Sequence, residues 1–230
     1  PLEAESIMLK NNYFHTLISS GKRLIKDRFI AYDAPGSTGW GLVSRDAYGD
    51  PRKELELIRN GRVNSFYSDR LTSKALRTGR NPGSARHEFL SGVPRSRISV
   101  LTLEDKEYHR IPGNAGILRM MCILAAKHGA ADKDIVFLEG CSGGEGSLIK
   151  GYFRAIPHRA WLCRNNKIFS LPIRTFEGSM SAFLSALRSG AGKLTMVSNG
   201  YCSKFGQDVP VSNLSHKYLV LDWKRGLHIK

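Results

Sequence analysis

Glu54-Leu-Glu-Leu-Ile-Arg-Asn-Gly-Arg-Val-Asn-Ser-Phe-Tyr67 decides the fold class. Apolar and polar residues alternate on either side of Asn60-Gly61, and Asn-Gly supplies the two positive φ values of a type I′ turn. The stretch is therefore a β-hairpin, and hairpins build antiparallel sheets. A second hairpin is expected where Arg159-Ala-Trp-Leu-Cys-Arg164 and Lys167-Ile-Phe-Ser-Leu171 flank Asn165-Asn166, with Pro172 ending the second strand or placing it at an edge. Shorter strands are predicted at 98–103, 135–138, 194–198 and 217–222. Residues 5–19 carry Leu9, Phe14, Leu17 and Ile18 at helical spacing and stop at Gly21. Residues 115–127 present Ile117, Leu118, Met121, Ile123, Leu124 and Ala125, closed by Gly129, and predict a core-packed helix. A shorter helix is predicted over 179–188, capped by Ser179, with Phe183, Leu184 and Leu187 turned inward. No repeat or low-complexity linker divides the chain. The sum is α+β: mostly antiparallel sheets with two or three packed helices in a single domain over 1–230.

The 230 residues are 41% apolar, enough for a real core, and 24% charged, which excludes collagen-like, mucin-like and disordered classes. No apolar run reaches the roughly 18 residues of a membrane-spanning helix. Four cysteines (122, 141, 163, 202) form no C-x-x-C pair, and no secretory signal is visible, so a reducing, cytoplasmic setting is expected. The chain starts at Pro1 instead of Met, from which loss of upstream residues is expected. The net charge of +15 is localised. Residues 59–97 hold nine basic groups, including Arg86 and Arg97, against Asp69 and Glu88, and 146–205 hold nine more against Glu177 alone. Such a field attracts an anionic partner: an acidic peptide, an acidic subunit or nucleic acid. The nucleic-acid reading adds Phe66, Tyr67 and Trp161 beside basic residues, but no recognition motif supports it.

The strip Glu139-Gly-Cys-Ser-Gly-Gly-Glu-Gly-Ser147 lacks the G-K-[ST] ending of a phosphate cradle. It is either a flexible loop or a strand that another backbone can approach closely. As a strand it would guide an extended peptide by backbone hydrogen bonds, a mode that tolerates many side chains, and Gly140, Ser142, Gly143 and Gly144 are its candidate substrate-binding residues. The seven histidines form no H-x-x-x-H or H-x-H pair, and no G-x-S-x-G elbow occurs. Cys122 and Cys163 sit among apolar neighbours as small core residues. Cys202 differs, because it lies in a glycine-punctuated polar stretch, Ser198-Asn-Gly-Tyr-Cys-Ser-Lys-Phe-Gly-Gln-Asp-Val-Pro-Val211.

That stretch resembles the C-terminal motif of the TldD branch of the TldD/PmbA family, C-G-K-x-G-Q-x-V-P-V. Cys202, Lys204, Gly206, Gln207, Val209, Pro210 and Val211 match, and Ser203 replaces a glycine. Asp46 to Arg70 resembles the family's strand, N-G turn and strand ending near D-R. Asn81-Pro-Gly-Ser-Ala-Arg86 resembles its S-T-G-N-x-R loop, and Leu171-Pro-Ile-Arg174 with Gly178 its P-V-[KR]-G segment. The similarity runs in one register over most of residues 5–222.

The resemblance implies metallopeptidase chemistry. Active members carry H-E-x-x-x-H on a helix, place both histidines and a distant cysteine on zinc, and use the glutamate as general base on the zinc-bound water. Aligned on Met8-Leu-Lys-Asn-Asn-Tyr-Phe-His15, the first histidine becomes Lys10, the glutamate Asn11, and only His15 survives; the cysteine is Cys202. Lysine at neutral pH has no lone pair to offer, and asparagine takes no proton from water. Residues 1–20 are then the remnant of the motif helix, His15 and Cys202 an incomplete metal set, and Lys204 and Gln207 further candidate substrate contacts. The resemblance also implies a pairing of related subunits, one with the zinc motif and one without, and maturation of unfolded or leader peptides. The expectation is a shortened, pseudo-enzyme subunit with no cofactor of its own, zinc residing in an H-E-x-x-x-H partner, and an acidic leader peptide drawn by the basic surface. The resemblance also implies an N-terminal domain, expected to be absent from 1–230 through truncation at Pro1. Two alternatives stay open: a nucleic-acid-binding protein, and a live metallopeptidase whose missing ligands come from another chain.

Overall fold

The computed structural model describes residues 2–9, 13–34, 39–79, 81–88, 92–112, 116–147, 150–204 and 206–230. In chain order the elements are α1 (Ala4–Met8), α2 (Tyr13–Ser19), β1 (Phe29–Asp33), β2 (Leu55–Arg59), β3 (Arg62–Val63), α3 (Arg70–Ala75), β4 (Ala85–Arg86), β5 (Arg95–Ser96), β6 (Val100–Asp105), α4 (Ile117–Lys127), β7 (Ile135–Glu139), β8 (Gly143–Ser147), β9 (Tyr152–Ile156), β10 (Arg159–Arg164), β11 (Lys167–Ser170), β12 (Phe176–Ser179), α5 (Met180–Ala186), β13 (Leu187–Lys204), β14 (Gln207–Leu221) and β15 (Leu227–Ile229). The architecture is α+β with mostly antiparallel sheets. The largest sheet runs β13-β14-β6-β1-β2-β3, and only β14 against β6 is parallel. A four-stranded sheet runs β15-β12-β9-β8, a three-stranded sheet β11-β10-β7, and β4 pairs with β5.

Both asparagine turns form as the sequence dictates. Asn60 and Gly61 sit at φ 49° and 72°, Asn165 and Asn166 at 48° and 57°, the left-handed values that a two-residue hairpin turn demands and that asparagine and glycine tolerate. The expected helix over 5–19 is two helices, α1 and α2, separated by residues 10–12, which lie outside the described residues. The helix expected to reach residue 188 stops at Ala186, and Leu187 opens β13, fully buried. The short strands expected at 194–198 and 217–222 are parts of one hairpin of 18 and 15 residues, β13 and β14. The glycine-punctuated Cys202 stretch is its tip: Cys202 pairs with Val209 and Lys204 with Gln207. Pro210 is tolerated in β14 because β6 pairs only with Ser212 to Ser215, so its missing N–H breaks no bond on that side.

Two apolar clusters hold the sheets. Phe29, Ala31, Leu55, Leu57, Ile58 and Leu187 form the first on the large sheet, with Phe183 and Leu184 of α5 against it. Phe183 also meets Phe153 of β9 and Phe176 of β12 at 5.2 and 6.3 Å between ring centres, which ties the four-stranded sheet to that core. In the second, Met120, Met121 and Leu124 pack α4 against Cys163 of β10 and Ala191 of β13. Spacings of three and four put those side chains on one helix face. Cys163 is core, as expected. Cys122 is only half-buried beside it, in contact with the Cys163 thiol, and its own thiol donates to Asn166 Oδ1 at 3.7 Å.

Candidate functional site

The glycine strip resolves into strand. Ser142 N–H donates to the Ile156 carbonyl at 2.8 Å, and Gly143 to Ser147 pair with Ile156 to Tyr152. Among the described residues β8 pairs with β9 on one side only, so it is an edge strand there, and four of its five residues are exposed. Gly144 is required by packing, because a Cβ there would lie 2.3 Å from the Arg154 carbonyl oxygen. Gly140 makes the preceding turn at φ 60° against the His158 ring. The other two substrate candidates belong to a different sheet: Gln207 Nε2 donates to the Val93 carbonyl at 3.1 Å, and Lys204 faces the N-terminal segment.

That second neighbourhood is built around Cys202. Lys204 Nζ donates to Ser6 Oγ at 2.6 Å and to the Glu3 carboxylate. Arg97 Nη2 donates to the Lys204 carbonyl at 2.6 Å, and its Nη1 stands 3.8 Å from Glu3 Oε1. Arg86, from the loop that resembles the family's, donates through Nη1 to the carbonyls of Ile98 (3.0 Å) and Pro210 (2.6 Å). Beneath it Arg52 Nη2 donates to Asp33 Oδ1 at 2.6 Å and to Ser99 Oγ at 3.0 Å. Glu3, Asp33, Arg52, Arg86 and Arg97 are all buried. Burial, reinforced by the Arg52 charge, pushes the Arg86 guanidinium down to about 10. Burial and then the Glu3 carboxylate push the Cys202 thiol up, against the opposing Arg97 and Lys204 charges.

Zinc binds thiolate, neutral imidazole and carboxylate. Glu3, the carboxylate beside the Cys202 thiol, is engaged by Lys204. Among the described residues no group of three or more His, Cys, Asp or Glu side chains is placed to hold a metal ion. His15 is half-buried on α2; Lys10 and Asn11, which bring neither imidazole nor carboxylate, lie outside the described residues. The donors described do not fit a zinc ion.

Sequence reasoning singled out Cys202 and Lys204 but missed Glu3, Arg52 and Asp33. It also read Arg86 and Arg97 as members of a surface field, whereas both are buried and spend their donors on carbonyls and Glu3. The resemblance of the Asn81–Arg86 loop was the available signal for Arg86. Tyr67, offered as a stacking platform for bases, is a core residue, and Trp161 stacks on Phe137 at 5.5 Å.

A mostly antiparallel α+β domain closed by a long hairpin with a cysteine near its tip is the class to which these features lead. The model of the PmbA/TldA metallopeptidase C-terminal domain matches residues 1–205, and the chain belongs to this TldD/PmbA family. A protein of Methanothermobacter thermautotrophicus named metalloprotease is 26% identical over 195 residues, which cover 84% of this chain and 39% of that protein. Another of that name from Archaeoglobus fulgidus is 26% identical over 181 residues, 79% of this chain and 38% of the relative. The crystal structure of TldE from Thermococcus kodakarensis shares the fold with a TM-score of 0.61 at 16% identity, over 92% of this chain and 43% of that one. The chain thus spans about two fifths of the length of the curated relatives it matches.

Proposed function

We propose that this chain is a peptide-docking subunit of a heteromeric TldD/PmbA-type peptidase that processes unfolded or leader peptides, without a complete zinc site of its own. An extended peptide adds to the free edge of β8, and a related subunit bearing H-E-x-x-x-H supplies the metal and the base. The observation that carries this reading is the ion cluster beside Cys202, in which Lys204 holds Glu3 and Arg97 flanks it. A cluster of that kind is a structural tie, since it consumes the anionic donors that a cation would need. The glycine edge of β8 supports the docking role, because main-chain pairing requires close, unobstructed approach. No helix among the described residues is long and apolar enough to cross a membrane; the four free thiols support work in a reducing compartment, which we take to be the cytoplasm.

The test is metal analysis and peptide cleavage on the chain alone and after mixing with an H-E-x-x-x-H relative. Substoichiometric zinc and no cleavage alone, with activity in the mixture, is the expected result. Stoichiometric zinc with cleavage by the isolated chain overturns the reading.

A further inference from the structure

We infer that a basic cavity at the end of the β8 sheet is a carboxylate-binding subsite for the docked peptide; the inference rests on the reading of β8 as the docking edge. The cavity, of about 450 Å³, is lined by Tyr13 of α2, Lys22 and Arg23 of the segment before β1, Ser179 and Ser181 at the β12–α5 junction, and Arg225 between β14 and β15. Its volume falls within the range of ligand clefts. Among the described residues three cations line it and no acidic side chain does. Asp27 pairs with Arg23 at 2.9 Å from outside the lining, with both side chains more than half exposed, so the pair is weak and leaves most of the positive charge uncompensated.

Position links the cavity to the docking edge. Ser147, the last residue of β8, pairs with Tyr152, and Tyr152 with Ser179 on the cavity wall. Two strand spacings of about 4.8 Å separate Ser147 from Ser179. A peptide paired on the free side of β8 lies one spacing further out, about 14 Å from Ser179 in all, and running past Ser147 it covers that distance within four or five extended residues, at about 3.4 Å each. The wall is held to the β8–β9 turn: Met180 N–H donates to the Gly151 carbonyl at 2.7 Å, and a Cβ on Gly151 would meet the Tyr13 ring at 2.4 Å. The anion an extended peptide brings is a carboxylate, from its own C-terminus or from an Asp or Glu side chain, and guanidinium and ammonium groups are its natural receivers.

The test uses three dye-labelled peptides of about ten residues: a neutral Ser/Ala/Gly sequence ending in an amide, the same sequence as free acid, and the amide with one Glu near its C-terminus. Binding to the full chain is read by anisotropy, for the wild type and for Lys22→Gln/Arg225→Gln, whose altered side chains are exposed. A carboxylate peptide should bind about five- to tenfold tighter than the neutral amide. The gain should shrink near 0.5 M salt, roughly, as screening shortens the reach of these charges, and should vanish in the double variant while the amide binds unchanged. Which of the two acids gains identifies the source of the carboxylate. Equal binding by all three peptides, or a gain that survives the double substitution, overturns the subsite and leaves the docking edge standing. No binding by any peptide overturns both.

Discussion

Replacing Asp33 with asparagine removes the charge that holds Arg52 inside the large sheet. The carboxylate accepts from Arg52 Nη2 at 2.6 Å, Ser99 Oγ at 3.1 Å, Ser99 N–H at 2.8 Å and Val100 N–H at 3.1 Å. The Arg52 side chain is 1% exposed and that of Asp33 0%, and Arg52 Nε and Nη1 have no hydrogen-bond partner among the described residues. Asp33 is therefore what compensates a cation far from water. Breaking one side of such a pair costs about 3–5 kcal/mol, because the other charge is left buried and uncompensated. A chain of this size loses about 2–4 °C of Tm per kcal/mol, so Asp33→Asn should melt about 6–20 °C lower, read by circular dichroism. Asp33→Asn/Arg52→Met should recover part of the loss, since the orphaned cation leaves with its partner, giving a coupling on the order of 2 kcal/mol. A Tm change under about 3 °C for Asp33→Asn, or a double variant equal to the sum of its singles, would refute the argument.

Asp105 gives a pH prediction with a definite sign. Burial raises its pKa, but two bonds from Arg28 (2.7 and 2.8 Å) and the amides of Gly190 (2.6 Å) and Glu107 (2.9 Å) outweigh burial and hold it below the ordinary carboxylate range. A depressed folded value means that the stabilisation is complete above the unfolded pKa of about 3.9 and lost as pH falls through the folded value. Wild-type Tm should drop steeply below about pH 4, and Asp105→Asn, already less stable at pH 7, should drop less over that window. Gly144→Val drives a side chain into the Arg154 carbonyl; overpacking of this kind costs about 1–3 kcal/mol, and peptide binding should fall with it in an anisotropy titration. Cys202→Ser should leave the zinc content of the isolated chain unchanged by mass spectrometry; a fall from one equivalent would mean that the thiol does ligate metal.

What the sequence revealed tracks the range of each signal. Asn60-Gly61 and Asn165-Asn166 announce their hairpins because turn chemistry is confined to a few bonds, and α4 announces itself through its period. The β13–β14 hairpin is hidden by its own irregularities. Register shifts between Leu187 and Ser189, Ala191 and Leu194, and Met196 and Ser198 break the alternation, and its glycines imitate loop composition. The cluster beside Cys202 is half visible for a related reason. Cys202 and Lys204 belong to a local motif, whereas Glu3 reaches Lys204 across 201 residues and Arg97 across 107, and no local pattern marks a partner at that range. Composition likewise counts an arginine without saying whether it faces solvent, so Arg86 and Arg97 passed as surface charge.

The bond from Lys204 to Ser6 spans 198 residues of chain, and that separation sets a schedule during synthesis. At about 5–20 residues per second, the ribosome needs roughly 10–40 seconds after making Ser6 before Lys204 exists. Through that interval Glu3 lacks its ammonium partner, although Leu2 and Ala4 can already bond to Tyr67 and Glu3 can already meet Arg97, so the cluster beside Cys202 closes in two stages and Lys204 completes it. A nascent-chain crosslink between Ser6 and Lys204 should therefore emerge only when the β13–β14 hairpin is complete.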